Sequence, residues 1–226
     1  MENLTVILFL CATVPMVPTL YMIPDKKSRV FMGYMLLGMV VCLIASEVNT
    51  ILLGLFGGDM HYVSTNITPI AEEILKVLPV LFYAICFSDE RDTLLSISFA
   101  MGLGFALLEN MVILTGSIDK VTVLWAFVRG FGAARMHSAC TSLIGKGISY
   151  VHKRRKLFYC GTFSLLIAAI IAHALFNTLI QSKLQWAAYG VVLVMYIPQL
   201  LALGKKLLAK IKPKEPSDFG REEEHP

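Results

Sequence analysis

Runs of about 20 apolar residues recur along this chain with few interruptions, and no other feature restricts the possible fold so tightly. A helix needs roughly 17 to 25 residues to cross a hydrocarbon layer about 30 Å thick, and the runs have that length. Lipid offers the backbone no hydrogen bonds, so only helices or closed barrels can span it. The runs lack the apolar–polar alternation of barrel strands. Of the 226 residues, 56% are hydrophobic and only 16% are charged, a balance outside that of ordinary soluble domains. The sequence therefore predicts an all-α, polytopic membrane bundle.

About seven transmembrane helices are expected, near residues 3–23, 31–56, 68–87, 94–115, 121–145, 158–181 and 184–204. With the connecting loops sorted in alternation, fifteen of the twenty lysines and arginines fall on one side and two on the other. The positive-inside rule makes the basic side cytoplasmic, with the N-terminus outside and the C-terminus inside. Residues 1–208 read as a single transmembrane domain, and the charged, Pro-containing segment 209–226 as a disordered cytoplasmic tail. The first run has no basic flank and no small-residue cleavage site, so it is expected to stay as a span. The five cysteines sit in apolar runs without paired spacing and read as small buried hydrophobes.

The fifth span raises a problem of length. The apolar run from Ile118 to Val151 would reach about 50 Å as one helix. The expectation is a break at Gly130 and Gly132, with "DKVTVLWAFV" lying at the interface and the true span starting near Arg129.

The stretch "ITPIAEEILKVLPVLFYAICF" places Glu72, Glu73 and Lys76 inside an apolar segment. A charge at mid-membrane costs roughly 2.5 to 3.5 kcal/mol on insertion scales, so three together call for partners or a purpose. Counting residues from the helix ends brings Glu109, Asn110, His173 and Asn177 to the same layer, roughly 5 to 15 Å below the outer surface, and the expected break in the fifth span brings His137 there too. Lys76 lies four residues after Glu72 and three after Glu73, and can neutralise one carboxylate of the pair. His173 and Asn177 are four apart and share a helix face. Asn110 and Asn177 can equally be helix-to-helix hydrogen-bonding groups. Glu47 and Arg135 read as structural, and His61 and His152 as solvated loop residues.

The motifs "EEILK" (72–76), "GLGFALLEN" (102–110), "FVRGFGAARMH" (127–137) and "HALFN" (173–177) resemble, in order and spacing, those of the PrsW-type intramembrane proteases, relatives of the CAAX-protease and bacteriocin-processing superfamily. The resemblance spans the motif-bearing core, about 68–181. It implies a site-1 type endopeptidase that cuts a membrane-anchored protein such as an anti-sigma factor, in a bacterial cytoplasmic membrane. It also implies Glu72, Glu73, Glu109, His137, His173 and Asn177 as catalytic residues, with Lys76, Asn110 and Arg129 in support. The Asp-Gly and Tyr-Gly often found before the GLGFA-like motif are replaced here by "RDTLLSISFAM".

Two hydrolytic schemes fit these residues. In the first and favoured one, a glutamate of the pair activates water together with His137, while His173 and Asn177 donate to the oxyanion and no metal takes part. Glu72 is preferred as base because Lys76 lies on its face. In the second, zinc sits on His137, His173 and Glu109. The rival class is a proton- or metal-coupled transporter, which also uses buried Glu and His, but no second copy of the motifs suggests a repeat. The basic residues lie in short juxtamembrane loops, so the expected partners are a protein substrate and the bilayer rather than nucleic acid.

Overall fold

A computed structural model describes residues 7, 9–116 and 122–211, and among them every regular element is helical. A π turn at Phe9–Thr13 precedes α1 (Met16–Leu20), α2 (Lys26–Leu55), α3 (Met60–Tyr62), a second π turn (Val63–Ile67), α4 (Thr68–Cys86), α5 (Arg91–Gly116), α6 (Val123–Ile148), α7 (Arg155–Gln181) and α8 (Gln185–Ile211). The chain divides into two compact units, 1–192 and 193–226. In its described part the second unit is the end of α8, a mostly apolar helix from Leu193 to Ile211.

Local chemistry explains the helix ends. Asp25 caps α2 by accepting a hydrogen bond from the Ser28 amide at 2.7 Å. The helix stops at Gly57 and Gly58, whose φ values of 73° and 79° suit only glycine without strain. Asp59 then caps α3 through the Tyr62 amide. Pro69 occupies the first turn of α4, where a missing N–H costs nothing. Pro79 lies inside the same helix, and its carbonyl accepts a hydrogen bond from Tyr34 Oη across to α2 at 3.1 Å.

α5 is the central helix, and it packs chiefly on α2 and α6. Leu94, Ile97, Ala100, Met101, Phe105 and Ala106 are all within 1% of complete burial. The two glycines of "GLGFA" permit this closeness. A Cβ on Gly102 would collide with the carbonyl of His137 on α6, and one on Gly104 with the carbonyl of Met35 on α2. Small residues at such crossings let helices pack without a hydrophobic drive between them. α7 closes against α6, and α4 touches α2, α6 and α7. Among the described residues α2, α5 and α7 are long and apolar enough to cross a membrane, whereas α4 carries Glu72, Glu73 and Lys76 and α6 carries Arg129, Arg135 and Lys146. The outer faces stay apolar, with Phe82, Phe163 and Leu175 more than half exposed, as lipid contact requires.

Two expectations are corrected. The fifth helix does not break at Gly130 and Gly132. α6 is one unbroken helix of 26 residues, about 39 Å long. The excess length disappears at the ends instead, where Thr122 caps the start through the Trp125 amide and turns at Ser149 and Tyr150 end the helix. A glycine costs about 1 kcal/mol relative to alanine in a helix, too little to justify freeing backbone groups where no water can pair with them. The first expected span is interrupted near Pro15 in its described part, because proline removes a helical donor. α8 runs to Ile211, and the rest of the segment expected as a tail, 212–226, lies outside the described residues. Of the cysteines, Cys42 and Cys140 are buried, while Cys11, Cys86 and Cys160 are exposed.

Candidate active site

α4 supplies three ionisable residues from two successive turns. Glu73 and Lys76, three apart, form an ion pair at 2.6 Å with both side chains fully buried. The Lys76 ammonium also lies 2.8 Å from His137 Nδ1 on α6 and 4.6 Å above the Phe105 ring on α5. Glu73 Oε1 contacts His173 Nδ1 on α7 at 2.8 Å. One carboxylate and one ammonium thus tie α4 to three other helices.

The second glutamate is held differently. Glu72 Oε1 accepts a hydrogen bond from Asn49 Nδ2 of α2 at 3.2 Å. Its other oxygen, Oε2, is buried without a hydrogen-bond partner and lies 3.8 Å from His173 Nε2. This corrects the sequence argument for preferring Glu72: Lys76 pairs with Glu73, both glutamates keep a buried Oε2 without a partner, and what distinguishes Glu72 is that it lines a cavity. On the far side, His137 Nε2 meets Glu109 Oε2 of α5 at 3.0 Å, and Arg129 of α6 reaches the same oxygen at 2.9 Å. Arg129 Nε also donates to Asn110 Oδ1 at 3.0 Å. The layer holds three carboxylates and two fixed cations, so with neutral histidines it keeps one net negative charge.

The partners fix the histidine tautomers. An ammonium can only donate, so His137 Nδ1 accepts from Lys76 and the ring proton sits on Nε2, facing Glu109. A carboxylate only accepts, so His173 Nδ1 carries its proton toward Glu73 and Nε2 keeps a lone pair on the Glu72 side. The rings stand edge to face, 4.7 Å apart and inclined at 85°. One histidine offers a donor to the layer and the other an acceptor.

A cavity of about 390 Å³ between α2, α4 and α5 leads to this layer. Glu72, Glu109, Asn49 and Phe105 line it with apolar walls that include Leu43, Leu53 and Val112, and Met60, Val63 and Ser64 of the connector lie at its outer part.

The structure brings together Glu72, Glu73, Lys76, Glu109, His137 and His173, with Arg129 and Asn110 at the edge. It does not bring Asn177 into the group. The Asn177 amide donates to the carbonyl of Ser64 at 3.1 Å, and Ser64 Oγ donates to Gln181 Oε1 at 3.0 Å, so Asn177 fastens the connector before α4 to the end of α7. The expected donor pair of His173 and Asn177 is therefore absent from this geometry. Among the loop histidines, His61 approaches Gln181 at 3.4 Å and His152 lies 3.9 Å from Asp89, both on exposed surface.

Sequence reasoning overlooked Asn49 and Phe105. The signal for Asn49 was available: Ser46, Asn49, Thr50 and Leu53 share helical spacing, and all four line the cavity. Nothing in the sequence alone marks Phe105 as the ring beneath Lys76.

One ligand atom each from Glu72, His137 and His173 lies within 4.8 Å of the others. Two imidazoles and a carboxylate, with an unpaired buried oxygen among them, fit a divalent ion in type and spacing. The carboxylate of this set is Glu72, not Glu109 as the zinc scheme assumed.

No curated protein matches the chain, and no solved structure matches it. A family model described as PrsW family intramembrane metalloprotease matches residues 26–203, which takes in α2 through most of α8. That description, with the Glu72–His137–His173 set, gives no support to the expectation of a metal-free site. The apolar spans and this match make the protein an integral membrane protein, and the chain belongs to the PrsW family of intramembrane metalloproteases.

Proposed function

We propose that this chain hydrolyses a peptide bond of a membrane-anchored protein substrate, such as an anti-sigma factor, using a water activated at Glu72. The observation that carries the reading is the free Oε2 of Glu72, buried beside the His173 lone pair on a residue that lines a cavity. A carboxylate oxygen in that setting accepts a proton from water as the hydroxyl oxygen attacks the scissile carbonyl. His137 Nε2–H, which now faces Glu109, is the donor assigned to the resulting oxyanion. As the carbon–nitrogen bond breaks, the proton on Glu72 passes to the leaving amine. Glu73 and Lys76 take no proton in this scheme. They hold the two histidines in opposite tautomers, and Arg129 pairs with Glu109 beside His137.

A second reading rests on the convergence of Glu72, His137 and His173 and on the family's description as metalloproteases. These three residues would hold a divalent ion such as zinc, which when bound polarises a carbonyl and lowers the pKa of water. Glu109, with its side chain 22% exposed and lining the cavity, is then the carboxylate left to accept the proton. His137 would have to give up Lys76 at Nδ1 or Glu109 at Nε2 to join such a set, and these contacts favour the first reading. Cleavage measured with and without a strong chelator separates the two. Activity kept under chelation supports water activated by Glu72 alone; activity lost and restored by zinc supports the ion.

The lysines and arginines gathered at the α1–α2, α6–α7 and C-terminal sides support a cytoplasmic position for those ends. The Glu72 layer then lies in the outer half of the membrane, and a bacterial cytoplasmic membrane is the setting the family reading favours.

A further inference from the structure

We infer that Asn49 is a positioning residue for the reaction, and that α2, which carries none of the family-like motifs, is part of the working site through it. The inference rests on the reading of Glu72 given above. Asn49 lies 23 residues before Glu72, and its Nδ2 donates to Glu72 Oε1 at 3.2 Å. That bond occupies Glu72 Oε1 and leaves Glu72 Oε2 unpaired, on the His173 side. The terminal torsion of a glutamate is broad and nearly two-fold, so an unheld carboxylate would sample many orientations. A donor from another helix removes that freedom.

The chemistry of the donor matters as much as its place. The close partners of the other two carboxylates are charged or histidine: Lys76 and His173 on Glu73, Arg129 and His137 on Glu109. A cation on Glu72 would bind the carboxylate strongly and weaken it as a base. A neutral amide orients it and adds no charge. Hydrogen bonds to an ionised acceptor are stronger than neutral ones, and the apolar walls at Cys42, Leu43 and Leu53 raise their worth further. Asn49 also borders the cavity, so the same residue links the place where a substrate would lie to the base that would act on it.

The test uses the full chain in liposomes with a membrane-anchored reporter substrate, comparing wild type with Asn49→Leu, Asn49→Ser and Asn49→Gln. Folded yield and thermal midpoint are measured alongside. The leucine variant keeps volume without a donor, and the serine variant serves if leucine does not fold. The expected result is a fall in kcat of about 10- to 100-fold, the range typical of lost outer-sphere support. KM should stay within about twofold of wild type. Asn49→Gln, which restores an amide on a longer arm, is expected to recover part of the kcat. A kcat within about twofold of wild type in the leucine or serine variant would overturn the inference, as would a loss confined to KM or explained by unfolded protein. Those outcomes leave wild-type cleavage intact and touch Asn49 alone. A wild type that does not cleave, and does not differ from Glu72→Gln, would overturn this inference together with the peptidase reading.

Discussion

Lys76 and Glu73, one helical turn apart on α4, meet at 2.6 Å with neither side chain exposed, and each also reaches a histidine on a different helix. Two charges that would be costly singly in hydrocarbon become the link between α4, α6 and α7. Removing one partner of a buried pair leaves the other uncompensated, at a cost of about 3–5 kcal/mol. Lys76→Met is expected to destabilise the protein by that amount in thermal or denaturant unfolding in detergent. The double variant Glu73→Gln with Lys76→Met should regain most of the stability but not the activity, because the histidine tautomers lose their anchors. Full stability in Lys76→Met would show that the pair does not hold the bundle.

Glu72 and His173 are expected to separate function from folding. Glu72→Gln removes the proton acceptor and keeps the shape, and His173→Ala removes the lone pair beside it. Each should lower kcat by about 100-fold or more, the smaller end of the range for a positioned acid or base. Size-exclusion profiles should stay those of wild type. Near-normal turnover in either variant would remove that residue from the mechanism.

Glycine positions give a paired test of the packing. A Cβ on Gly102 would strike the backbone at His137, whereas one on Gly130 meets nothing within 4 Å. Gly102→Val should push α5 from α6, displace His137 and abolish cleavage. Gly130→Ala should leave cleavage intact and add up to about 1 kcal/mol of stability, because α6 is an unbroken helix there. A destabilised Gly130→Ala would argue for the break that the sequence suggested.

Orientation is checked by labelling single introduced cysteines with a membrane-impermeant thiol reagent. Lys183→Cys is expected to react in intact cells, and Lys153→Cys only after permeabilisation. The reverse pattern would place the Glu72 layer in the cytoplasmic half.

The polar layer was legible in the sequence because charge is so rare in apolar runs that each instance stands out. "EEILK" and His173 needed only helix counting to reach one depth, whereas His137 was brought there by a helix break that does not exist and is held there by Lys76 and Glu109 instead. Partner choice was not legible. Lys76 is at helical spacing from both glutamates, and only the positions of α6 and α7 decide that it pairs with Glu73. Asn177 shares a face with His173 in sequence, yet the connector at Ser64 comes near enough to claim its amide. The expected break in α6 was wrong for a related reason: glycine propensity was weighed without the cost of exposing backbone groups in lipid. Asn49 stayed hidden because its role depends on how closely α2 approaches α4 across Glu72.

The most direct measurement is mass-spectrometric detection of cleavage of a single-span, membrane-anchored substrate in liposomes, with wild type and Glu72→Gln run side by side. The account expects wild type to release fragments cut at one site within or next to the substrate's span, and Glu72→Gln to release none above background. Equal cleavage by both would contradict it, as would an absence of fragments together with an ion or solute flux that Glu72→Gln abolishes.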